Sequence, residues 1–133
     1  FYAVNFANPD MVGHTGNEEA TIKACEEVDL ALGHIADAVL GVNGALVVTA
    51  DHGNAEEVKN LVTGEMDKEH STNPVPCLLI ARELEGKKAS SGDVVGGDLA
   101  LTPPSGMLAD VAPTVCALLG ITPPAEMTGR SLL

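Results

Sequence analysis

Two periods of hydrophobicity run along the chain. Residues 2–7 alternate with period two and are β-prone, and Asn8, Pro9 and Asp10 then break the pattern, which predicts a strand ending in a loop. Asn17, followed by Glu18 and Glu19, has the form of a helix N-cap with acids in the first turn. Beyond it Ile22, Cys25, Val28, Leu32, Ile35, Ala36 and Val39 keep helical spacing, so a helix is expected to about Leu40, stopped by Gly41. Residues 45–50 and 75–81 are short, almost wholly apolar runs. They read as strands covered on both faces, in a mostly parallel sheet, with Pro76 near a strand start where proline is tolerated. Residues 85–106 are rich in Gly, Ser, Lys and Pro, which predicts an exposed loop with at most one short strand at 99–101. A second amphipathic helix is expected over 107–119, closed by Gly120.

Alternating strands and helices point to an α/β layered domain. The run 45–50 is too apolar for a sheet edge, so further strands are expected to flank it. The chain opens with Phe1 directly in an apolar segment and reads as cut from a longer protein.

Polar residues of one chemical kind gather after these strands. Asp10 and His14 follow the first, Asp51 and His52 follow the second, and His70 closes an acidic loop before the third. Ligands of open α/β sheets bind beyond the carboxyl ends of strands, so these segments are expected to converge. Each residue alone has an ordinary reading as a cap, a loop residue or a surface histidine; their joint placement favours a divalent-metal site. Carboxylate with imidazole suits Mn, Zn or Fe, and the lack of a thiolate argues against a closed structural zinc site. Gly53 is expected to allow a sharp turn that brings Asp51 and His52 onto one ion, and Gly13 to do the same for His14. His34, mid-helix and without a carboxylate pattern, reads as structural.

Composition narrows the choice of partner. Among 133 residues there are seven Lys and Arg against nineteen Asp and Glu, a net charge of −12, which disfavours nucleic acid and anionic membrane surfaces. The basic residues are scattered apart from Lys87 and Lys88, leaving no clamp for a phosphate. With no Trp, one Tyr and two Phe, a core must come from aliphatic side chains and Met. Cys25, Cys77 and Cys116 sit among apolar residues and read as buried, reduced thiols.

Three blocks carry a family resemblance. Asn5-Phe6-Ala7-Asn8-Pro9-Asp10-Met11-Val12-Gly13-His14-Thr15-Gly16 resembles the signature loop of cofactor-independent phosphoglycerate mutases, which belong to the alkaline phosphatase superfamily. Thr49-Ala50-Asp51-His52-Gly53-Asn54-Ala55-Glu56 and His70-Ser71-Thr72-Asn73-Pro74-Val75-Pro76 resemble two further blocks. Residues 108–133, with Ala109-Asp110-Val111-Ala112-Pro113-Thr114 and Met127-Thr128-Gly129-Arg130-Ser131-Leu132, resemble the C-terminus of those enzymes.

The resemblance implies a partial alkaline-phosphatase-like fold, with residues 1–133 as the C-terminal portion of its metal-binding domain. It implies a cytoplasmic, monomeric glycolytic isomerase that interconverts 3-phosphoglycerate and 2-phosphoglycerate through a phosphoserine, without 2,3-bisphosphoglycerate. Two Mn²⁺, or Mg²⁺, Co²⁺ or Zn²⁺, would serve it. Asp10, His14 and His70 would hold one ion, and Asp51 and His52 the other. The nucleophilic serine and the basic substrate-binding domain would lie outside this chain, leaving it inactive alone, and Ser71 would be filler beside His70. A stand-alone metal-binding or interaction module, or another phosphotransferase of the superfamily, are the competing readings.

Overall fold

The computed structural model describes residues 1–60, 62–87 and 103–133. The expected strand at 99–101 and most of the loop around it lie outside these residues. Residues 2–7 form no strand: Phe1, Tyr2 and Val4 are exposed, and among the described residues no neighbouring strand accepts their hydrogen bonds. The chain instead turns directly into helix α1, Asn8–Gly13, where a loop was expected. Pro9 explains this, since its fixed φ suits a first helical turn and its missing N–H has no partner there anyway. The Met11 N–H reaches the Ala7 carbonyl at 2.9 Å and His14 N–H reaches Asp10 at 3.1 Å.

Helix α2 spans Glu18–Gly41 and packs against α1. Its start is as expected, with the Asn17 side chain accepting the Ala20 N–H at 3.1 Å. Its end differs: Gly41 remains helical, and Asn43, at φ 57°, makes the left-handed turn that releases the chain. The covered face runs through Thr21, Ala24, Val28, Leu32, Ile35 and Val39, while Ile22 and Cys25 stay exposed.

Strands β1, Leu46–Thr49, and β2, Cys77–Ile80, pair antiparallel, with Leu46 opposite Ile80 and Thr49 opposite Cys77. The α/β class is as expected, but a parallel pairing is not found. A parallel pair needs a crossover element, and between Thr49 and Cys77 the only described helix is the three-residue 3-10 turn Ala55–Glu57. The segment is one long irregular hairpin. Isolated bridges Gly53–Ser71 and Lys59–Met66 hold its arms, and Gly64, at φ 73°, turns its tip. The described sheet has two strands, so the flanking strands expected from the apolar run are not among the described residues, and Leu78 is half exposed.

The expected aliphatic core is also thin. Among the described residues, Val58 and Ala81 are the buried hydrophobic ones, whereas the most deeply buried side chains are Thr21, Thr114 and Pro113. Cys25 and Cys77 are exposed and Cys116 half-buried, against the expectation of buried thiols; the partial burial of Cys25 and Cys77 still pushes their thiol pKa up.

Polar anchors hold the C-terminal segment. A 3-10 turn, Leu108–Asp110, leads into α3, Val111–Leu118, which ends as expected before Gly120 at φ 65°. The Asp110 carboxylate accepts the N–H of Met107 at 3.0 Å and of Arg130 at 2.8 Å. The buried Thr114 hydroxyl donates to the Asp110 carbonyl at 2.7 Å and accepts the Leu132 N–H at 3.0 Å. Gly129 lies so close to the Ala109 backbone that a Cβ would collide with it.

Two outcomes follow. Gly129→Ala forces backbone apart and is expected to destabilise by about 1–3 kcal/mol, whereas Gly33→Ala, mid-helix with nothing within 4 Å of its Cβ, is expected to stabilise by up to ~1 kcal/mol; chemical denaturation of both variants checks this. The backbone N–H groups of Arg130 and Met107 hold the Asp110 carboxyl below its usual pKa. A lowered folded-state pKa gives stability that is present above the unfolded value and lost as pH falls through the folded one. Acid melts below about pH 4 are therefore expected to loosen wild type progressively, with a flatter response in Asp110→Asn.

Candidate metal centre

Helix α1 supplies the first two groups. Because residues 8–13 are helical, Asp10 and His14 stand four apart on one face, and Asp10 Oδ1 lies 3.3 Å from His14 Nε2. The hairpin supplies the rest. Ser71 N–H donates to the Gly53 carbonyl at 2.8 Å, and this contact sets the neighbouring residues His52 and His70 side by side. Their rings stack with centroids 3.7 Å apart and 18° between planes. Gly53 serves this approach through its missing side chain, since a Cβ would strike Glu56 and Ser71; its φ is not in the left-handed region. Gly13 is alike, with the Asn54 side chain occupying the place of its Cβ, and the left-handed residue of that turn is Gly16 at φ 69°.

Three donors meet in a nearly equilateral triangle. His70 Nε2 lies 3.3 Å from Asp10 Oδ1 and 3.3 Å from His14 Nε2, closing the 3.3 Å Asp10–His14 edge. Bonds of about 2.0–2.1 Å to one ion imply donor separations of about 3.3–3.4 Å in a tetrahedral shell, so the spacing fits an ion. His52 joins from the other side: one donor atom each from Asp10, His52 and His70 lie within 4.8 Å of one another.

Tautomers favour ligation as well. His14 Nδ1 meets the Lys68 carbonyl, and His52 Nδ1 meets the Gly53 carbonyl at 3.3 Å. A carbonyl only accepts, so in the neutral ring Nδ1 carries the proton and Nε2 offers its lone pair. Asp51 stands apart. Its side chain is 90% exposed, with Oδ1 3.6 Å from His52 Nε2, and it joins none of the close donor contacts around Asp10. His34 is exposed on α2, away from the cluster.

Three supporting groups had no assigned role in the sequence. Asn54, buried, donates Nδ2 to Asp10 Oδ1 at 3.1 Å. Lys68 acts through its carbonyl, which no side-chain pattern can reveal. Glu56 accepts the Ser71 hydroxyl and the Asn54 N–H. Burial pushes the Glu56 carboxyl up, but hydrogen bonds from Ser71, its own backbone, Asn54 and Asn73 outweigh that and leave its pKa below the usual value. Ser71 is thus tied into the hairpin through Glu56. The signal for Asn54 and Glu56 was their place just after Asp51-His52-Gly53 at a strand end.

Comparison with known proteins points to a family of metalloenzymes. A family described as the metalloenzyme superfamily matches residues 1–123. The 2,3-bisphosphoglycerate-independent phosphoglycerate mutase of Chloroflexus aggregans is 49% identical over 133 residues, all of this chain and 23% of that protein. The protein of the same name from a Synechococcus species is 52% identical over 130 residues, 98% of this chain and 23% of its own length. The chain therefore spans about a quarter of the length of these curated relatives. Among solved structures, a Leishmania mexicana phosphoglycerate mutase, determined at low cobalt concentration, superposes with a TM-score of 0.71 at 34% identity, over 96% of this chain and 24% of that one.

The geometry ranks the donors. His70 belongs to both groupings, so His70→Ala is expected to weaken Mn²⁺ binding by roughly 100-fold or more, and Asp51→Ala by less than about 10-fold. Calorimetric titration of the two variants beside wild type measures this. Binding should weaken on acidification, because protons compete for the imidazoles.

Proposed function

The chain belongs to the metalloenzyme superfamily, and we propose that it is the C-terminal, metal-binding portion of a cofactor-independent phosphoglycerate mutase. The observation that carries this reading is the cluster of Asp10, His14 and His70, with His52 beside it. In this reading Asp10, His14 and His70 hold one divalent ion. Asp51 and His52 hold a second, together with groups from parts of the enzyme outside this chain. Carboxylate and imidazole donors suit Mn²⁺, with Mg²⁺, Co²⁺ and Zn²⁺ as alternatives.

The bound ions would activate a serine oxygen as nucleophile and offset charge on the phosphoryl group that moves between 3-phosphoglycerate and 2-phosphoglycerate. The chain's own residues prepare the site. Lys68 and Gly53 carbonyls fix the imidazoles with Nε2 unprotonated, and Asn54 holds the Asp10 carboxylate in place. With seven Lys and Arg against nineteen Asp and Glu, this reading assigns binding of the anionic substrate to basic groups outside this chain, and the nucleophilic serine likewise. The same reading makes the enzyme a cytoplasmic monomer of glycolysis, without nucleic-acid or membrane partners.

A chimera tests the reading. With this chain in place of the matching segment of the Chloroflexus aggregans mutase, we expect Mn²⁺-dependent interconversion of the two phosphoglycerates. Asp10→Asn in the chimera should lower kcat by roughly 100-fold or more. The isolated chain should give no turnover, because covalent catalysis without its nucleophile loses its route. A folded, metal-loaded chimera without mutase activity would sink the proposal.

A further inference from the structure

The ligand cluster is assembled from three segments: α1, the end of the β1 arm and the start of the β2 arm, the two arms bridged at Gly53 and Ser71. One side chain outside the cluster reaches two of them and connects to the third. Glu56 Oε2 accepts the backbone N–H of Asn54 at 2.8 Å, two residues from His52. Its Oε1 accepts the hydroxyl of Ser71, the residue after His70, and Asn73 Nδ2 at 3.2 Å. Asn54 passes the connection on, since its side chain donates to Asp10 Oδ1 at 3.1 Å.

We propose that Glu56 is a positioning residue for the metal centre, a carboxylate whose two oxygens lock the His52 and His70 arms together and, through Asn54, aim Asp10. The inference rests on the metal-binding reading above. Three features of the geometry support it. The two oxygens are divided between the arms, Oε2 to one and Oε1 to the other. A Cβ at Gly53 would strike the Glu56 carboxylate and the Ser71 hydroxyl, so the two groups fill the space between the arms where Glu56 spans them. Asn73 Nδ2, shared at 3.1 Å with Glu57 Oε2, braces the same junction, so Glu56 is itself held. Outer groups of this kind typically change metal affinity 10- to 100-fold without touching the ion.

Glu56→Gln is the diagnostic change because it keeps size and shape. An amide offers one acceptor oxygen and one donor nitrogen, so one arm must face an N–H where it needs an acceptor. Co²⁺ serves as the probe, titrated into the full chain with wild type, Glu56→Gln, Ser71→Ala and the double variant. Affinity is read by calorimetry, ligand field by visible absorption, and folding by far-ultraviolet circular dichroism. We expect Glu56→Gln to weaken Co²⁺ by 10- to 100-fold and alter the visible band, with the dichroism unchanged. Ser71→Ala should weaken binding less, and the double variant no more than Glu56→Gln alone, as members of one network. Wild-type affinity and spectrum in Glu56→Gln would overturn the inference while leaving the metal reading intact. Absence of Co²⁺ binding by wild type would remove both. If Glu56→Gln fails to fold, Ser71→Ala, which keeps the carboxylate and Asn73, decides: unchanged affinity and band in that variant overturn the inference.

Discussion

Everything at the site depends on how closely the two arms of the hairpin approach at Gly53 and Ser71. That single backbone contact converts two histidines eighteen positions apart into stacked neighbours. A side chain at position 53 would strike the Glu56 carboxylate and the Ser71 hydroxyl that sit against this contact. Once the arms are fixed, α1 needs to bring just one face, bearing Asp10 and His14, against them. The division of labour is economical: a short helix gives rigid i, i+4 spacing, and a bridge gives lateral proximity.

The residues that cluster were more legible in the sequence than the architecture that gathers them. Asp10, His14, His52 and His70 could be picked out because carboxylate and imidazole gathered near strand ends. The architecture was misread where local pattern has two physical solutions. Residues 2–7 alternate as a strand does, but among the described residues no neighbouring strand pairs with them, and helix α1 begins at Asn8 instead. The apolar runs that became β1 and β2 suggested parallel pairing, since burial on both faces is common there. The connection decides it in the structure: among the described residues it holds no crossover helix and folds as an irregular hairpin, and the strands meet antiparallel. Backbone acceptors such as the Lys68 carbonyl leave no trace in composition at all.

Stability in this chain is placed unevenly. Among the described residues the buried positions are dominated by polar or small groups that hydrogen-bond, Thr21, Asn54, Asp110 and Thr114, rather than by large aliphatic side chains. Such anchoring specifies geometry strongly, because a buried donor left without a partner costs about 1–3 kcal/mol. It also explains why the glycines at 53, 106 and 129 matter: each lies where a neighbouring chain atom occupies the space a Cβ would need. The acidic excess fits the same picture, with Glu56, Glu57, Glu65, Asp67 and Glu69 along the hairpin, where their summed field favours a cation near the cluster.

The hydrogen bonds that join α1 to the hairpin have a kinetic meaning. Asn54 to Asp10 closes a separation of 44 residues, His14 to Lys68 one of 54, and His14 to His70 one of 56. Helix α2, by contrast, is held by contacts four residues apart, and such elements form early because little chain entropy is lost in making them. Closing a loop of that longer size costs about 3 kcal/mol in chain entropy before any contact compensates. The ligand cluster is therefore among the last parts of this chain to assemble, after the helix and the hairpin exist as units. During synthesis, the segment bearing Asp10 and His14 must wait until some fifty further residues have followed it before its partners are available.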